Sequence, residues 1–446
     1  MHGVVIDIEP TLRAHRSQLH TQHILIAQGA LTSTGALLNN ALPDGRWHLV
    51  ADARTWAQAG PALVAQLTTA NRPYTCHVFA EDHVAPTAEN AHALQAAFGK
   101  SSAALAVGAG TINDLVKMAS HRAGIPYAVV ATAPSMNGYT SAIAALLENG
   151  VKTTLPCTPP AAVLADIDLL AAAPYRMLTA GFGDLLSKPV SQADWLLAHH
   201  LVDAPYAPQA AQLIEASAAL IEDIGPALSR REPQAVGQLM GSLLLSGFSM
   251  AVAGTSAPSS GGEHLISHYL DMTHYAWGQP NDLHGCQVGV ATRTTAALYE
   301  GLLALNPAHI DCANRAATHL TWATYRRAIA ARFGDLTPAI LPHAERGYPD
   351  PDQLYHRLQR LKDRWETLTC ALRSTLRPAA QIAAQLESAQ APKTFDQLGV
   401  TPGRARRAIL HSKDIRARYT ILHLLDELGV LQPWTDRALH RHALLW

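Results

Sequence analysis

Cysteine is scarce in this sequence and poorly placed for structural chemistry. Five occur in 446 residues: Cys76, Cys157, Cys286, Cys312 and Cys370. They are odd in number, scattered and never arranged as CxxC, which excludes a disulfide framework and a zinc–thiolate cluster and points to a reducing compartment. Charge is also thin, at 15% of residues with a formal net charge of −1. No basic field exists to attract nucleic acid. The opening MHGVVIDIEP carries Asp7 and Glu9 where a signal peptide needs a long apolar run, so a cytoplasmic location is expected. The most apolar stretch, 239–254, is broken by Ser242, Ser246, Gly247 and Ser249. It is short for a bilayer span and reads as a buried helix packed through small residues, with no membrane insertion.

What is present describes a compact globular enzyme or binding protein. Hydrophobic residues make up 48%, and the length predicts two domains. Short apolar runs at 23–27, 47–51, 75–79, 103–107 and 127–131 alternate with helical stretches such as 87–98 and 111–123. That alternation predicts a Rossmann-like, mostly parallel α/β sheet covered on both faces. From about Pro174 the periodicity is helical, over 184–200, 208–224, 233–252 and 319–332, and no strand is expected after 163–165. The domains are therefore drawn at 1–173 and 174–446. Residues 341–352, with Pro342, Gly347, Pro349 and Pro351, read as a loop.

Four clusters carry possible chemistry. Gly108-Ala-Gly110-Thr111 follows a strand and opens a helix, a place where backbone approaches a phosphate and helix N–H groups meet it; Thr111 is expected to cap that helix. A second polar loop, Thr132 to Ser141, follows the next strand and could hold a dinucleotide with the first, or be simply solvated. Asp184, at the expected start of a helix, reads as a cap or a metal ligand, with Lys188 one turn on. In GGEHLISHYLDMTHYAWGQPNDLHG, His264 and His268 share a helix face and His284 follows. With 23 histidines in the chain, such pairs also arise by chance. Asp184, His264 and His284 together would leave a divalent ion an open position.

The motifs VGAGTIND, ATAPSMNGYTS, GFGDLLSK, GGEHLISH and LHGCQVGV, in this order, resemble the sn-glycerol-1-phosphate dehydrogenases. These belong with the iron-dependent alcohol dehydrogenases, glycerol dehydrogenases and 3-dehydroquinate synthases. LPCTPPAAVLADIDLLAAAP and DIRARYTILHLLDELGVL resemble the bacterial branch, so the likeness covers most of the chain. It implies a dehydroquinate synthase-like fold: the α/β domain followed by an all-helical metal- and substrate-binding domain. It implies Asp184, His264 and His284 as ligands of one divalent metal, zinc first, with iron and nickel open. It implies NAD or NADP on Gly108, Gly110 and Thr111, with Asp114 in the same turn, Thr132, Ser135 and Ser141 nearby, and Asp52 facing the ribose. His268 and Lys188 match positions near the substrate, as does Asn137. A solvated helix face is the plain alternative for Lys188.

The family usually has Asp in SMDG, where this chain has Asn137, and often Glu where it has Cys286, which is expected to be a small buried residue. Losing the carboxylate at 137 makes a pocket there more positive, which suits an anionic substrate. The expected reaction interconverts a small phosphorylated polyol and its ketone, with glycerol-1-phosphate and dihydroxyacetone phosphate foremost. His268 would relay the proton, and the assembly would be a homodimer. Rival readings are a dehydrogenase of another polyol or anionic alcohol, a dehydroquinate synthase-like cyclase that recycles NAD, an Fe(II) oxygenase, and a nucleotide-binding regulator.

Overall fold

The computed structural model describes residues 3–81, 84–148 and 151–443. Its chain divides into two compact units. The first takes the residues up to Leu185, then Gln209–Thr255 and Ser388–Ala391; the second takes Leu186–Pro208, Ser256–Glu387 and the rest from Pro392. A single cut at 173/174 is thus replaced by a division in which the chain returns to the first unit.

The first unit is built on a six-stranded sheet. Its strands are β1 (His23–Ala27), β2 (Trp47–Asp52), β3 (Tyr74–Phe79), β4 (Ala103–Gly108), β5 (Tyr127–Ala131) and β8 (Ala162–Asp166), in the order β1-β8-β5-β4-β2-β3. Every pairing is parallel. β4, β5 and β8 are buried along their whole length, which is why they read as continuous apolar runs rather than alternating ones. Trp47, Leu49, Leu105, Val107, Val130 and Leu164 fill one face with Leu63 and Leu67 of the Ala53–Thr69 helix. The chain runs from β2 outward to β3, then returns to the other side of β2 as β4. The carboxyl ends of β2 and β4 therefore flank a topological switch point, where such sheets bind ligands.

Two further strands, β6 (Ile143–Glu148) and β7 (Val151–Pro156), form an antiparallel pair that the sequence reading did not expect. The Pro233–Ala253 helix belongs to this unit. It has the length and apolarity of a membrane span, but 83% of its most apolar window is buried inside the protein, as expected of a core helix.

The second unit contains helices and short 3-10 turns and, among the described residues, no strand. Gly262–Trp277 and His284–Leu303 are its inner pair, with Leu265, Ile266, Leu270, Val288, Val290 and Tyr299 buried. The expected loop at 341–352 is a helix for most of its length. Thr337–Gly347 runs through Pro342 with Ile340 and Ala344 buried, and Pro351 opens the next helix in a capping box formed by Asp350 and Gln353. Burial of one face overrides the local cost of an internal proline.

Candidate functional site

The glycine turn sits where the sheet topology places ligands. β4 ends at Gly108, and the Gly110–Ala123 helix starts with Ala109 as N-cap and no side-chain cap. Thr111 is thus inside the first turn rather than capping it. The uncapped first-turn N–H groups and the helix dipole suit a diphosphate. On the neighbouring strand, Ala51 pairs with Val107, so Asp52 stands level with the turn. Its Oδ1 is already used, accepting from the N–H groups of Arg54 and Thr55 at 2.9 and 2.8 Å to cap the next helix.

The loop after β5 is not a solvated one. Thr132, Tyr139, Thr140 and Ser141 are buried, while Ser135, Met136 and Asn137 are half-buried. Thr132 N–H donates to the Gly108 carbonyl at 3.2 Å, tying the two loops together. Ser141 Oγ lies 2.9 and 3.0 Å from the carbonyl oxygens of Gly138 and Ile143. Asp114 is held in the same network: Oδ2 accepts from Ala145 N–H at 3.1 Å and Oδ1 from Asn113 Nδ2 at 3.0 Å. These two side chains brace the loop.

Lys117, which sequence reasoning missed, is the centre of that brace. It is fully buried, and its Nζ donates to the carbonyls of Gly138 at 2.6 Å and Ile143 at 3.0 Å. Burial pulls its pKa down, and the nearby Asp114 carboxylate opposes this.

Asp184 departs from its expected setting. It lies near the end of the Tyr175–Leu186 helix, not at a helix start, and Lys188 opens the separate Lys188–Val202 helix. The N-cap reading of Asp184 falls. Gly181 and Gly183 both lie within this helix, and at Gly181 a side chain has no room. A Cβ at Gly181 would stand 1.9 Å from the Pro134 carbonyl oxygen. Asp184 is fully buried, and Asn137 donates to it from both backbone and side chain. Nδ2 of Asn137 also reaches Ser246 Oγ at 3.2 Å.

In the second unit, the three histidines are neighbours. His264 and His268 lie on the Gly262–Trp277 helix, and His284 opens the next. The ring centroids of His264 and His284 are 5.2 Å apart at 62°. Two imidazoles bound to one tetrahedral ion, at metal–nitrogen distances of about 2.0–2.1 Å, have centroids roughly 5 Å apart. His264 and His268 are 6.2 Å apart, and His268 stacks on His284 at 19°, a geometry in which the rings face rather than converge.

The Nδ1 atoms of the first pair are engaged. That of His264 is 2.8 Å from Glu263 Oε1, and that of His284 is 2.9 Å from Ser267 Oγ, with Asp271 Oδ2 at 4.0 Å. An Nδ1 engaged in this way is the usual arrangement behind a metal-bound histidine. Glu263, Ser267 and Asp271 are residues the sequence did not single out. Among the described residues, no three or more His, Cys, Asp or Glu side chains are grouped so as to hold a metal as they stand. What fits is the donor chemistry of the pair.

Lys188 is fully buried and donates to the Ser259 carbonyl and Ser187 Oγ, each at 3.2 Å, so it is no solvated helix face. Cys286 is buried as expected.

A parallel sheet with a glycine turn at its switch point, followed by helices bearing paired histidines, defines a dehydrogenase-type protein, and the comparisons give the same class. The pattern of the iron-containing alcohol dehydrogenases matches residues 25–174. The NAD(P)+ glycerol-1-phosphate dehydrogenase of Bacillus subtilis is 32% identical over 385 residues, covering 85% of this chain and 84% of that one. The corresponding enzyme of Geobacillus thermodenitrificans is 30% identical over 423 residues, 94% of this chain and 95% of its own. The solved glycerol dehydrogenase of Schizosaccharomyces pombe shares the fold, with a TM-score of 0.60 over 95% of this chain and 92% of that one at 14% identity. The chain belongs to the glycerol-1-phosphate dehydrogenase family.

Proposed function

We propose that this protein is a metal-assisted NAD(P) oxidoreductase that interconverts sn-glycerol-1-phosphate and dihydroxyacetone phosphate. The observation that carries the reading is the His264–His284 pair, at ligand spacing with each Nδ1 held from behind. The names of the relatives supply the substrate. Asp184, His264 and His284 are the proposed ligands, a donor set that suits zinc first and also accepts iron or nickel. When bound by these residues, a divalent ion would supply polarisation of the reacting oxygen and lower the cost of its negative charge.

The chain's own groups do the rest. Gly108, Gly110 and Thr111 receive the cofactor diphosphate at the helix N-terminus. Asp52 offers its second oxygen to the ribose, and Thr132 and Ser135 border the nicotinamide half. Asp114 and Ser141 act through the loop they brace. His268 accepts or returns the hydroxyl proton, the acid–base role an imidazole most often takes. Lys188 anchors the substrate phosphate. A cytoplasmic homodimer belongs to the same reading.

The test is oxidation of NADH and NADPH by a metal-loaded preparation, with dihydroxyacetone phosphate and with unphosphorylated dihydroxyacetone. Turnover that depends on the phosphate is expected. A protein that oxidises neither cofactor with either ketone is not this enzyme.

A further inference from the structure

We infer that Glu263 is a positioning residue of the metal site, holding His264 with its Nε2 edge turned to the ion; this rests on His264 being a ligand, as proposed above. Glu263 is wholly buried. Its Oε1 accepts the Gly261 backbone N–H at 2.7 Å and lies 2.8 Å from His264 Nδ1. A carboxylate in that position selects the tautomer protonated at Nδ1, makes Nε2 the lone-pair nitrogen and raises its basicity.

The ordinary explanation for an acid here is the helix dipole, because Glu263 lies in the first turn of Gly262–Trp277. That benefit is available to an exposed glutamate without the cost found here. Oε2 of Glu263 is buried with no hydrogen-bond partner, a penalty that an apolar or exposed residue would avoid.

A second buried acid stands beside it. Asp194 Oδ2 accepts from Gly262 N–H at 2.7 Å, and Oδ1 from Tyr299 and from Ile421 N–H, both at 2.6 Å. A Cβ on Gly261 would meet Asp194 Oδ2 at 2.4 Å and Glu263 Oε2 at 2.7 Å, so the two carboxylates share one small space. Arg418, tied to the Ser260 carbonyl and Ser256 Oγ, stands near enough for its charge to act on both. Two buried acids and a half-buried arginine therefore stand behind one imidazole. Stability alone gives no reason for that grouping, whereas orientation of a metal-ligating histidine does.

The experiment measures zinc affinity of the stripped protein by chelator competition, and its thermal midpoint without metal, for the unmodified chain, E263Q, E263A and H264A. In E263Q, Oε1 can still accept from His264 while the amide nitrogen faces Asp194. Its metal-free midpoint is expected to stay level or rise, while zinc affinity falls about tenfold as the charge behind the imidazole disappears. E263A, which also loses the tether, is expected to fall about a hundredfold, and H264A to lose the site. If H264A loses zinc but E263Q and E263A bind it as tightly as the unmodified chain, Glu263 is not a positioning residue and the ligand assignment stands. If H264A keeps its zinc, the ligand assignment itself fails and takes this inference with it. Should E263A not fold, E263Q decides alone.

Discussion

Asn137 grips both oxygens of Asp184: its backbone N–H donates to Oδ2 at 3.1 Å and its side-chain Nδ2 to Oδ1 at 3.3 Å. The family resemblance leads one to expect Asp at this position, and an aspartate could not make the second bond. N137D would replace a donor with a second carboxylate facing the first, and would keep its contact with Ser246 only by accepting from that hydroxyl instead. The metal-free protein is expected to lose about 1–3 kcal/mol of unfolding free energy, read by urea denaturation in the presence of chelator. N137A, which removes the donor without adding charge, should lose less. Equal stability of N137D and the unmodified chain would mean that this bond does not hold the loop.

The same loop is pinned between two helices of its unit by glycines. A Cβ at Gly181 would meet backbone, the Pro134 carbonyl, at 1.9 Å, and one at Gly247 would meet the Asn137 carbonyl at 2.7 Å. G181A must push the loop away and is expected to cost about 3 kcal/mol and most of the turnover. Gly35 is the control. Its Cβ would have nothing nearer than 3.7 Å, and it lies in the Thr34–Ala41 helix, so G35A should be neutral or stabilising by up to about 1 kcal/mol. Equal losses in the two variants would contradict the contact.

The sheet is legible because parallel strands buried on both faces are written as plain apolar runs, and β4 and β5 fall where those runs lie. The β6–β7 pair was missed because IAALLE does not alternate. The Asn149–Gly150 dipeptide is a strong hairpin signal, but those two residues lie outside the described ones. The sequence places Asp184 at the start of a helix, whereas GFGD lies inside one. What requires glycine at 181 is the carbonyl of Pro134, far earlier in the chain, which no local pattern can reveal. The histidines show the same limit. Spacing links His264 to His268, yet the convergent rings belong to His264 and His284 on two helices, a pairing that came from resemblance and not from periodicity.

Lys117 was invisible for a related reason. Asp114 and Lys117 are three residues apart on a helix, which in sequence looks like a surface ion pair. In the structure the ammonium is buried and holds the carbonyls of Gly138 and Ile143, on either side of Ser141. K117M keeps the volume and leaves both carbonyls and the Asp114 carboxylate without that partner. Breaking a buried charged group of this kind costs about 3–5 kcal/mol. The urea midpoint should fall accordingly, with kcat/KM falling further as Asn137 loses its support. A stability loss below about 1 kcal/mol would show that water or rearrangement replaces the lysine with little cost.

His423 gives the protein an acid-sensitive component that can be removed without disturbing its helix. Burial is the main cause that pushes its pKa from the ordinary 6.5 down to about 3, with Lys413 and Arg357 adding to the effect and Asp426 opposing it. Between those values the unfolded chain binds a proton that the folded chain does not. The contribution to stability is therefore complete above about pH 6.5 and is lost progressively as the pH falls toward 3. From pH 7.5 to pH 5 the loss from this one group is about 2 kcal/mol. His423 is also the third residue of the Ile421–Glu427 helix, where its Nδ1 accepts the Thr420 N–H at 3.2 Å in a capping box. Glutamine serves that position equally well. H423Q should therefore match the unmodified chain near pH 8 to within about 1 kcal/mol and exceed it at pH 5 by the margin lost to protonation. His411, held down to about 4 mainly by burial, keeps part of the acid limb in both proteins. Unfolding free energies measured across this range in urea would show the two curves diverging below pH 6.5, and parallel curves would mean that His423 takes up its proton without unfolding the chain.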